Sequence, residues 1–240
     1  MNLYETIQED GYDIKIYIDE NPESPRQWDN FGKMICFHNR YTLGDEHKYS
    51  DPEEFLMEIA GLSEEQAQKL YYKANESHND YIDLLIQKAS KSNVILPLYL
   101  YDHSGISMSC SDTYPYNDRW DAGMVGFIYI PYEDIRKEFD SKRVTKKLKE
   151  QAVHNLKGEV DVYDDYLRGD VYGYEVEYDG ESIGSVWGYY GDEHEKSGLL
   201  ESARGDISAD QTDRRKKHSE KLKSYIMNRV PLMYREPANF

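Results

Sequence analysis

The chain has 240 residues, a formal net charge of −17, 39% hydrophobic residues and 13% aromatic residues. That apolar content can build a sizeable core, which excludes a disordered chain, and no stretch approaches the roughly 18 consecutive apolar residues of a membrane span. The segment Met1-Asn2-Leu3-Tyr4-Glu5-Thr6 has neither the basic nor the apolar region of a secretory signal, so a reducing cytosol is the expected setting.

In chain order, Asp13 to Asp19 alternates apolar and polar residues like a half-buried strand. A loop with Pro22 and Pro25 follows, then a second strand over Lys33 to His38, which is free to pair with the first. Ser50-Asp51-Pro52-Glu53 opens a helix with Phe55, Leu56, Ile59 and Ala60 as its apolar stripe and Gly61 as its stop. Ser63 and Gln66 make a capping box for a helix running to about Asn75. Tyr81 starts a third helix, ending near Ser92. Asn93 to Tyr101 is the strongest strand, and Pro97 places it at an edge or a bulge. Gly123 to Ile130 is another strand. A basic helix from Thr145 to Leu156 is expected to stop at Gly158, and a second, Val160 to Arg168, at Gly169.

Next comes a hairpin, with Asp170 to Tyr178 and Glu181 to Tyr190 joined by Asp179-Gly180, a pair suited to a type I′ turn. Period-two alternation puts Tyr172, Tyr174, Val176 and Tyr178 on one face, and Ile183, Ser185, Trp187 and Tyr189 together on the return strand. Residues 192–208 read as a polar loop. Asp210 to about Arg229 reads as a charged helix with Leu222, Tyr225 and Ile226 as its contacts. The expected fold is α+β, a mostly antiparallel sheet with helices packed on one side. The best boundary separates a main domain, 1–203, from a C-terminal charged helix and tail, 204–240.

Charge is unevenly spread. Residues 1–60 hold 14 acidic against 5 basic residues, and residues 159–203 hold 13 against 2, whereas residues 131–158 and 204–240 are net basic. Such a surface repels phosphates and attracts basic partners over about 8–10 Å. Cys36 and Cys110 lack a CxxC or a His-rich neighbour, which argues against a zinc ribbon and a disulfide framework. Tyr outnumbers Phe by 23 to 6, a composition suited to half-buried strands or to interaction surfaces.

Four constellations carry possible chemistry. Trp28-Asp29-Asn30 with His38, Arg40, Tyr41, Asp45 and His47 offers a metal set in His38, Asp45 and His47. It equally suits a loop whose polar side chains satisfy its own backbone. His103 with the serines that follow and Cys110 suggests a nucleophile and base, but no GxSxG elbow is present. Ile106, Met108 and Cys110 alternate there like a short strand. Trp120-Asp121 and Trp187 line a groove or anchor a core. Glu159, Asp161, Asp164, Asp165, Asp170, Glu175, Glu177, Asp179 and Glu181 form an acidic block, a binding face or a solvated one. No P-loop, GxGxxG or EF-hand pattern occurs, and no cofactor is expected.

The segments from Pro25 through Trp28-Asp29-Asn30 to Met34, and His38-x-Arg40-Tyr41-x-Leu43-Gly44-Asp45, resemble a family of largely uncharacterised bacteriophage proteins. Leu96-Pro97-Leu98-Tyr99-Leu100-Tyr101-Asp102-His103-Ser104-Gly105-Ile106, Trp120-Asp121-x-Gly123-x-Val125-Gly126-Phe127-Ile128-Tyr129, Asp170-Val171-Tyr172-Gly173-Tyr174 and Trp187-Gly188-Tyr189-Tyr190-Gly191 continue the likeness. It covers most of residues 10–195 and implies a setting rather than a mechanism. In that setting an acidic protein is expected in the host cytoplasm as a non-enzymatic inhibitor of a host nuclease or effector complex, of anti-CRISPR or anti-restriction type. It would act as a DNA mimic, without binding nucleic acid itself. Asp161, Asp164, Asp165, Glu175 and Glu177 would stand in for phosphates, with Tyr172 and Tyr174 as anchors. The alternatives are a small metal-dependent hydrolase using His38, Asp45, His47 and Asp121, or a phage structural or assembly protein.

Overall fold

The computed structural model describes residues 2–77, 80–103, 105–110 and 122–229. In chain order its elements are β1 (Asn2–Glu9), β2 (Tyr12–Ile18), β3 (Lys33–Cys36), α1 (Pro52–Ala60), α2 (Glu64–Ser77), α3 (Tyr81–Ala89), β4 (Asn93–Asp102), β5 (Ile106–Cys110), β6 (Ala122–Pro131), α4 (Tyr132–Glu138), α5 (Lys146–Arg168), β7 (Val171–Tyr178), β8 (Glu181–Tyr190) and α6 (Leu199–Arg229). The fold is α+β, and all strand pairs are antiparallel, but the strands make two four-stranded sheets. The chain divides into two compact units, Met1–Pro22 with Gly169–Phe240, and Glu23–Arg168. The second unit is thus an insertion between β2 and β7, which pair with each other. The expected break near Arg204 falls inside α6. The pairing imagined between β2 and β3 does not form, because the two belong to different sheets.

In the first unit the sheet order is β1-β2-β7-β8. Two Asp-Gly turns close its hairpins, with φ of 52° and 82° at Asp10-Gly11 and 52° and 77° at Asp179-Gly180. These positive angles are what a tight hairpin with right-twisted strands demands. Only the second turn stood out in the sequence, since the largely exposed β1 lacks the apolar alternation that betrays a buried strand. One sheet face, Tyr12, Ile14, Ile16, Tyr172, Tyr174 and Val176, packs on Leu199, Leu200, Ala203 and Ile207 of α6. The residues expected as a polar loop therefore supply the buried end of that helix, and its first turn begins at Leu199 rather than near Asp210. Leu222 and Tyr225, expected as its contacts, are exposed.

A bulge reorders β8. Tyr172 faces Tyr189 but Gly173 faces Trp187, so Gly188, at φ 86°, is the extra residue. The face shared by Trp187 and Tyr189 in strict alternation is split, because one inserted residue reverses every side chain beyond it. Trp187 lies instead across Gly173, where a Cβ would sit 2.3 Å from the indole ring.

In the second unit the sheet order is β3-β6-β4-β5, and helices cover both faces rather than one. Met34, Leu98, Leu100, Met108 and Ile128 face Leu156, Val160 and Tyr163 of α5. Ile35, Phe127 and Tyr129 face Phe55 and Leu56 of α1 and Leu85 and Ala89 of α3. Burial on both faces explains the unbroken apolar run of β6. Strand β4 is interior, not an edge. The described pairing with β5 runs from Leu98 to Asp102, and a bulge against β6 lies between Leu98 and Tyr99, next to Pro97. Buried Asn93 donates to the carbonyls of Ile59 and Ala89 at 3.0 and 2.9 Å, capping the ends of α1 and α3 at the start of β4. Gly158 does not stop a helix. Helix α5 runs through it for 23 residues, held by an apolar face continuous from Ala152 to Tyr163, and ends where Gly169 takes φ 80°. A single Gly costs a helix interior only about 1 kcal/mol, which packing of this extent outweighs.

The docked half of α6 is rimmed by ion pairs. Arg204 holds Glu9 at 2.8 Å, and Tyr12 donates its hydroxyl to Asp210 at 2.8 Å. The hydrogen bond from Arg204 holds the Glu9 carboxyl below the usual range, and Arg214, then Tyr12, does the same for Asp210. A carboxylate depressed in the fold contributes stability that is complete above its unfolded value, about 4, and is lost as pH falls through the lower folded value. Protection of the β1 and β2 amides, taken against the exchange of an unstructured peptide at the same pH, is therefore expected to fall below about pH 4. Replacing Arg204 and Arg214 with Ala should flatten that dependence while raising exchange at neutral pH.

Candidate functional site

Arg26 lies in a short 3-10 turn, Pro25–Gln27, opened by Ser24, whose hydroxyl accepts from the Arg26 N–H. Its side chain is only 4% exposed and is held on every side. Nε and Nη2 donate to the two carboxylate oxygens of Asp45 at 2.8 and 2.9 Å, Nη1 donates to Glu159 at 2.9 Å, and Nη2 also reaches the Gly32 carbonyl at 2.8 Å. Glu159 accepts in turn from the N–H groups of Phe31 at 2.6 Å and Gly32 at 3.1 Å, and Asp45 from that of Met34 at 2.8 Å. Burial opposes the guanidinium charge, but the hydrogen bonds and charges of Asp45 and Glu159 outweigh it and raise the Arg26 pKa. One turn along α5, Tyr163 accepts from the Gly44 N–H at 3.0 Å.

The Trp28 to His47 constellation is therefore a loop that satisfies its own backbone. Asn30 donates to the carbonyls of Pro25 and Trp28, both at 2.9 Å, while Trp28 and Asp29 face outward. The imagined metal set is dispersed. Asp45 is taken by Arg26, His47 Nε2 lies 2.9 Å from the Cys36 carbonyl oxygen, and His38 Nδ1 accepts from the N–H groups of Arg40 and Tyr41. Among the described residues no three His, Cys, Asp or Glu side chains are grouped to hold a metal ion. Arg40 forms an ion pair with Asp102 at the end of β4, and His38 stacks on Tyr41 at 5.0 Å. Burial pushes the Cys36 thiol up to about 12, which leaves it an inert core residue.

The acidic block is divided between the units and is partly spent. Asp164 accepts from the Met108 N–H at 2.6 Å, fastening α5 to β5. Asp165 pairs with Arg168 at 3.0 Å, and Glu177 with Lys15 at 2.6 Å. Asp161 and Glu175 lie at the surface or half-buried. Tyr172 and Tyr174 are core residues, not anchors: both are buried, and the Tyr174 hydroxyl donates to Asp206 at 2.7 Å. Ile106, Met108 and Cys110 do form one strand, with Met108 buried. Ser104, Trp120 and Asp121 lie outside the described residues.

Another set of surface carboxylates beside aromatic rings lies on α1 to α3. Residues 51–90 hold 9 acidic against 3 basic residues. Their helices are well started: Asp51 caps α1, the Ser63–Gln66 capping box opens α2, and Asp80 caps α3. Between them lies a depression of about 660 Å³ lined by Glu53, Glu64, Glu65, Tyr71, Tyr72 and Tyr81, with Met57 and Ala67 among its apolar members. Tyr81 donates its hydroxyl to Glu53 at 3.1 Å, and burial, then Glu53, pushes it up to about 12. A second depression of about 540 Å³, under Tyr49 and Tyr132, mixes Glu58 and Glu133 with Lys91 and Arg136 and so favours neither sign of ligand. A sequence signal for the first exists in Tyr71-Tyr72: adjacent helix residues point about 100° apart, so both cannot face one core.

No family model, curated protein or solved structure matches the chain. Among the described residues no helix is long and apolar enough to cross a membrane.

Removing one partner of a buried ion pair strands the others, at a typical cost of 3–5 kcal/mol. Arg26→Ala is expected to lower the unfolding free energy by about that amount in urea titration. Arg26→Lys should recover only part of it, since an ammonium cannot fork between two carboxylates.

Proposed function

We propose that this chain is a non-catalytic binding protein of bacteriophage type that lays its acidic surface in the basic nucleic-acid groove of a host nuclease or effector complex. In the host cytoplasm that role is an anti-CRISPR or anti-restriction one. The observation that carries the reading is the α1 to α3 surface, where exposed carboxylates and tyrosine rings share one depression in a chain of net charge −17. Rows of carboxylates compete for the lysines and arginines that otherwise neutralise phosphates, and long-range attraction raises the association rate. Tyrosines on the same surface supply contact area at low entropic cost.

Asp164, Asp165 and Glu177 serve this role less well than Glu53, Glu64 and Glu65. Their carboxylates are engaged and largely covered, at 17%, 22% and 24% exposed against 76% for Glu65, so charge reversal there would disturb the fold before it reported on a partner. The test is capture of a nuclease from host lysate at low and high salt, followed by competition with duplex DNA. Retention that weakens with salt and is displaced by DNA is the expected result. The triple variant Glu53→Lys, Glu64→Lys, Glu65→Lys should lose at least tenfold in affinity with an unchanged circular dichroism spectrum. Binding that ignores both salt and DNA would remove the mimicry.

A further inference from the structure

We propose that the depression between α1, α2 and α3 is a receptor for an arginine side chain on a basic protein segment. The inference deepens the binding role above by naming what its acidic surface grips. Three tyrosine rings make its walls. Tyr71 meets Tyr81 edge to face at 5.4 Å and Tyr72 at 6.1 Å, with interplanar angles of 87° and 70°. Rings set at right angles offer a cation both a face to stack on and a second face beside it, the geometry by which aromatic clusters hold cationic groups.

The rim has one sign. Glu53, Glu64 and Glu65 line the depression together with Gln68, and among the described residues no lysine or arginine lines it. Lys69 holds Glu65 at 2.6 Å from the next turn of α2, so Glu53 and Glu64 carry most of the rim charge. The wall is prearranged: the Tyr81 hydroxyl is fixed by Glu53 at 3.1 Å and lies 3.5 Å from the Ala67 carbonyl oxygen. Tyr71 and Tyr72 are 49% and 58% exposed, far more than two rings held for the core would be. A volume of about 660 Å³ admits an extended side chain with the backbone that carries it. Among cations arginine fits best, because its planar fork pairs with carboxylates while its faces stack on rings, whereas lysine is a compact and strongly hydrated charge.

The test uses the intact chain and a short peptide carrying two arginines between glycines, followed by calorimetry and by amide chemical shifts. Its controls are the same peptide with citrulline, which is neutral, and with lysine. Shifts confined to α1, α2 and α3, tighter binding of arginine than lysine, and no binding of citrulline are expected. Tyr71→Ala with Tyr72→Ala should weaken the arginine peptide about tenfold, in line with one or two lost cation–π contacts. As both rings are half exposed, the circular dichroism spectrum should not change. Equal binding by that double variant, or equal binding of the citrulline peptide, overturns the receptor. The same double variant tested on a captured nuclease separates the two readings. Peptide binding without nuclease capture by the parent chain sustains the receptor and ends the inhibitor role, whereas nuclease capture unaffected by the double variant, with no peptide binding by the parent, does the reverse.

Discussion

The structure of residues 23–168 depends on one buried guanidinium. Between Ser24 and Asp45 the chain has only the four-residue strand β3 and a single 3-10 turn, too little regular structure to satisfy its own backbone. Arg26 makes this possible by binding Asp45 from the loop and Glu159 from α5, while those carboxylates take the N–H groups of Phe31, Gly32 and Met34. A buried charge is tolerable only when its geometry is good and its remaining donors are met. Four hydrogen bonds from one side chain meet that condition. The close approach needs small residues as well. A Cβ on Gly32 would lie 2.2 Å from Leu156, and one on Gly44 2.6 Å from the Met34 carbonyl oxygen. Here the role of α5 is to carry Glu159 and Tyr163 to the loop, which is why it must run unbroken past Gly158.

How much of this was legible follows from range. Signals that act within four residues read well: the Asp179-Gly180 turn, the cap at Asp51, the Ser63–Gln66 box and the left-handed stop at Gly61 all stand where local chemistry puts them. Signals that depend on a distant partner did not. Nothing near Glu159 says that it belongs to Arg26, 133 residues away, and so it read as one more charge in an acidic run. Gly158 read as a stop because propensity is local, whereas the face that overrides it is completed by β3, β4, β5 and β6. Trp187 leaves the face that strict alternation predicts because Gly188 is an extra residue, one of two places where the register between β7 and β8 shifts. The two-sheet architecture was hidden for the same reason: adjacency in sequence suggested β2 beside β3, but β2 waits for β7 across an inserted unit.

The same distinction governs the charge. Formal charge counts every carboxylate equally, but a partner meets only those that the fold has not used. Asp45, Glu159 and Asp164 work as backbone acceptors, and Glu9 and Asp210 tie α6 to its sheet. The acidic run after Glu159 looked like the natural interaction surface because it is dense in sequence, and density in sequence is also what a helix that must clamp a loop and a strand produces. The α1 to α3 stretch is sparser, and Asp51 and Asp80 are spent as helix caps, yet Glu53, Glu64 and Glu65 stand exposed outside the core.

Tyrosine divides in the same way. In the first unit Tyr12, Tyr172 and Tyr174 are buried, with the hydroxyls of Tyr12 and Tyr174 spent on Asp210 and Asp206. They are core residues that carry a polar tip to the margin of α6, which explains much of the excess over phenylalanine. Tyr71 and Tyr72 have no such burial, and a ring left half in water is held there against the gain of covering it, roughly 25 cal/mol for each Å² of apolar surface. Tyr81 beside them is fixed by a carboxylate rather than by apolar packing alone. Exposed rings, a prearranged wall and a rim of one charge are what a cation needs and what a solvated helix face does not require, and that difference separates this depression from the rest of the acidic surface.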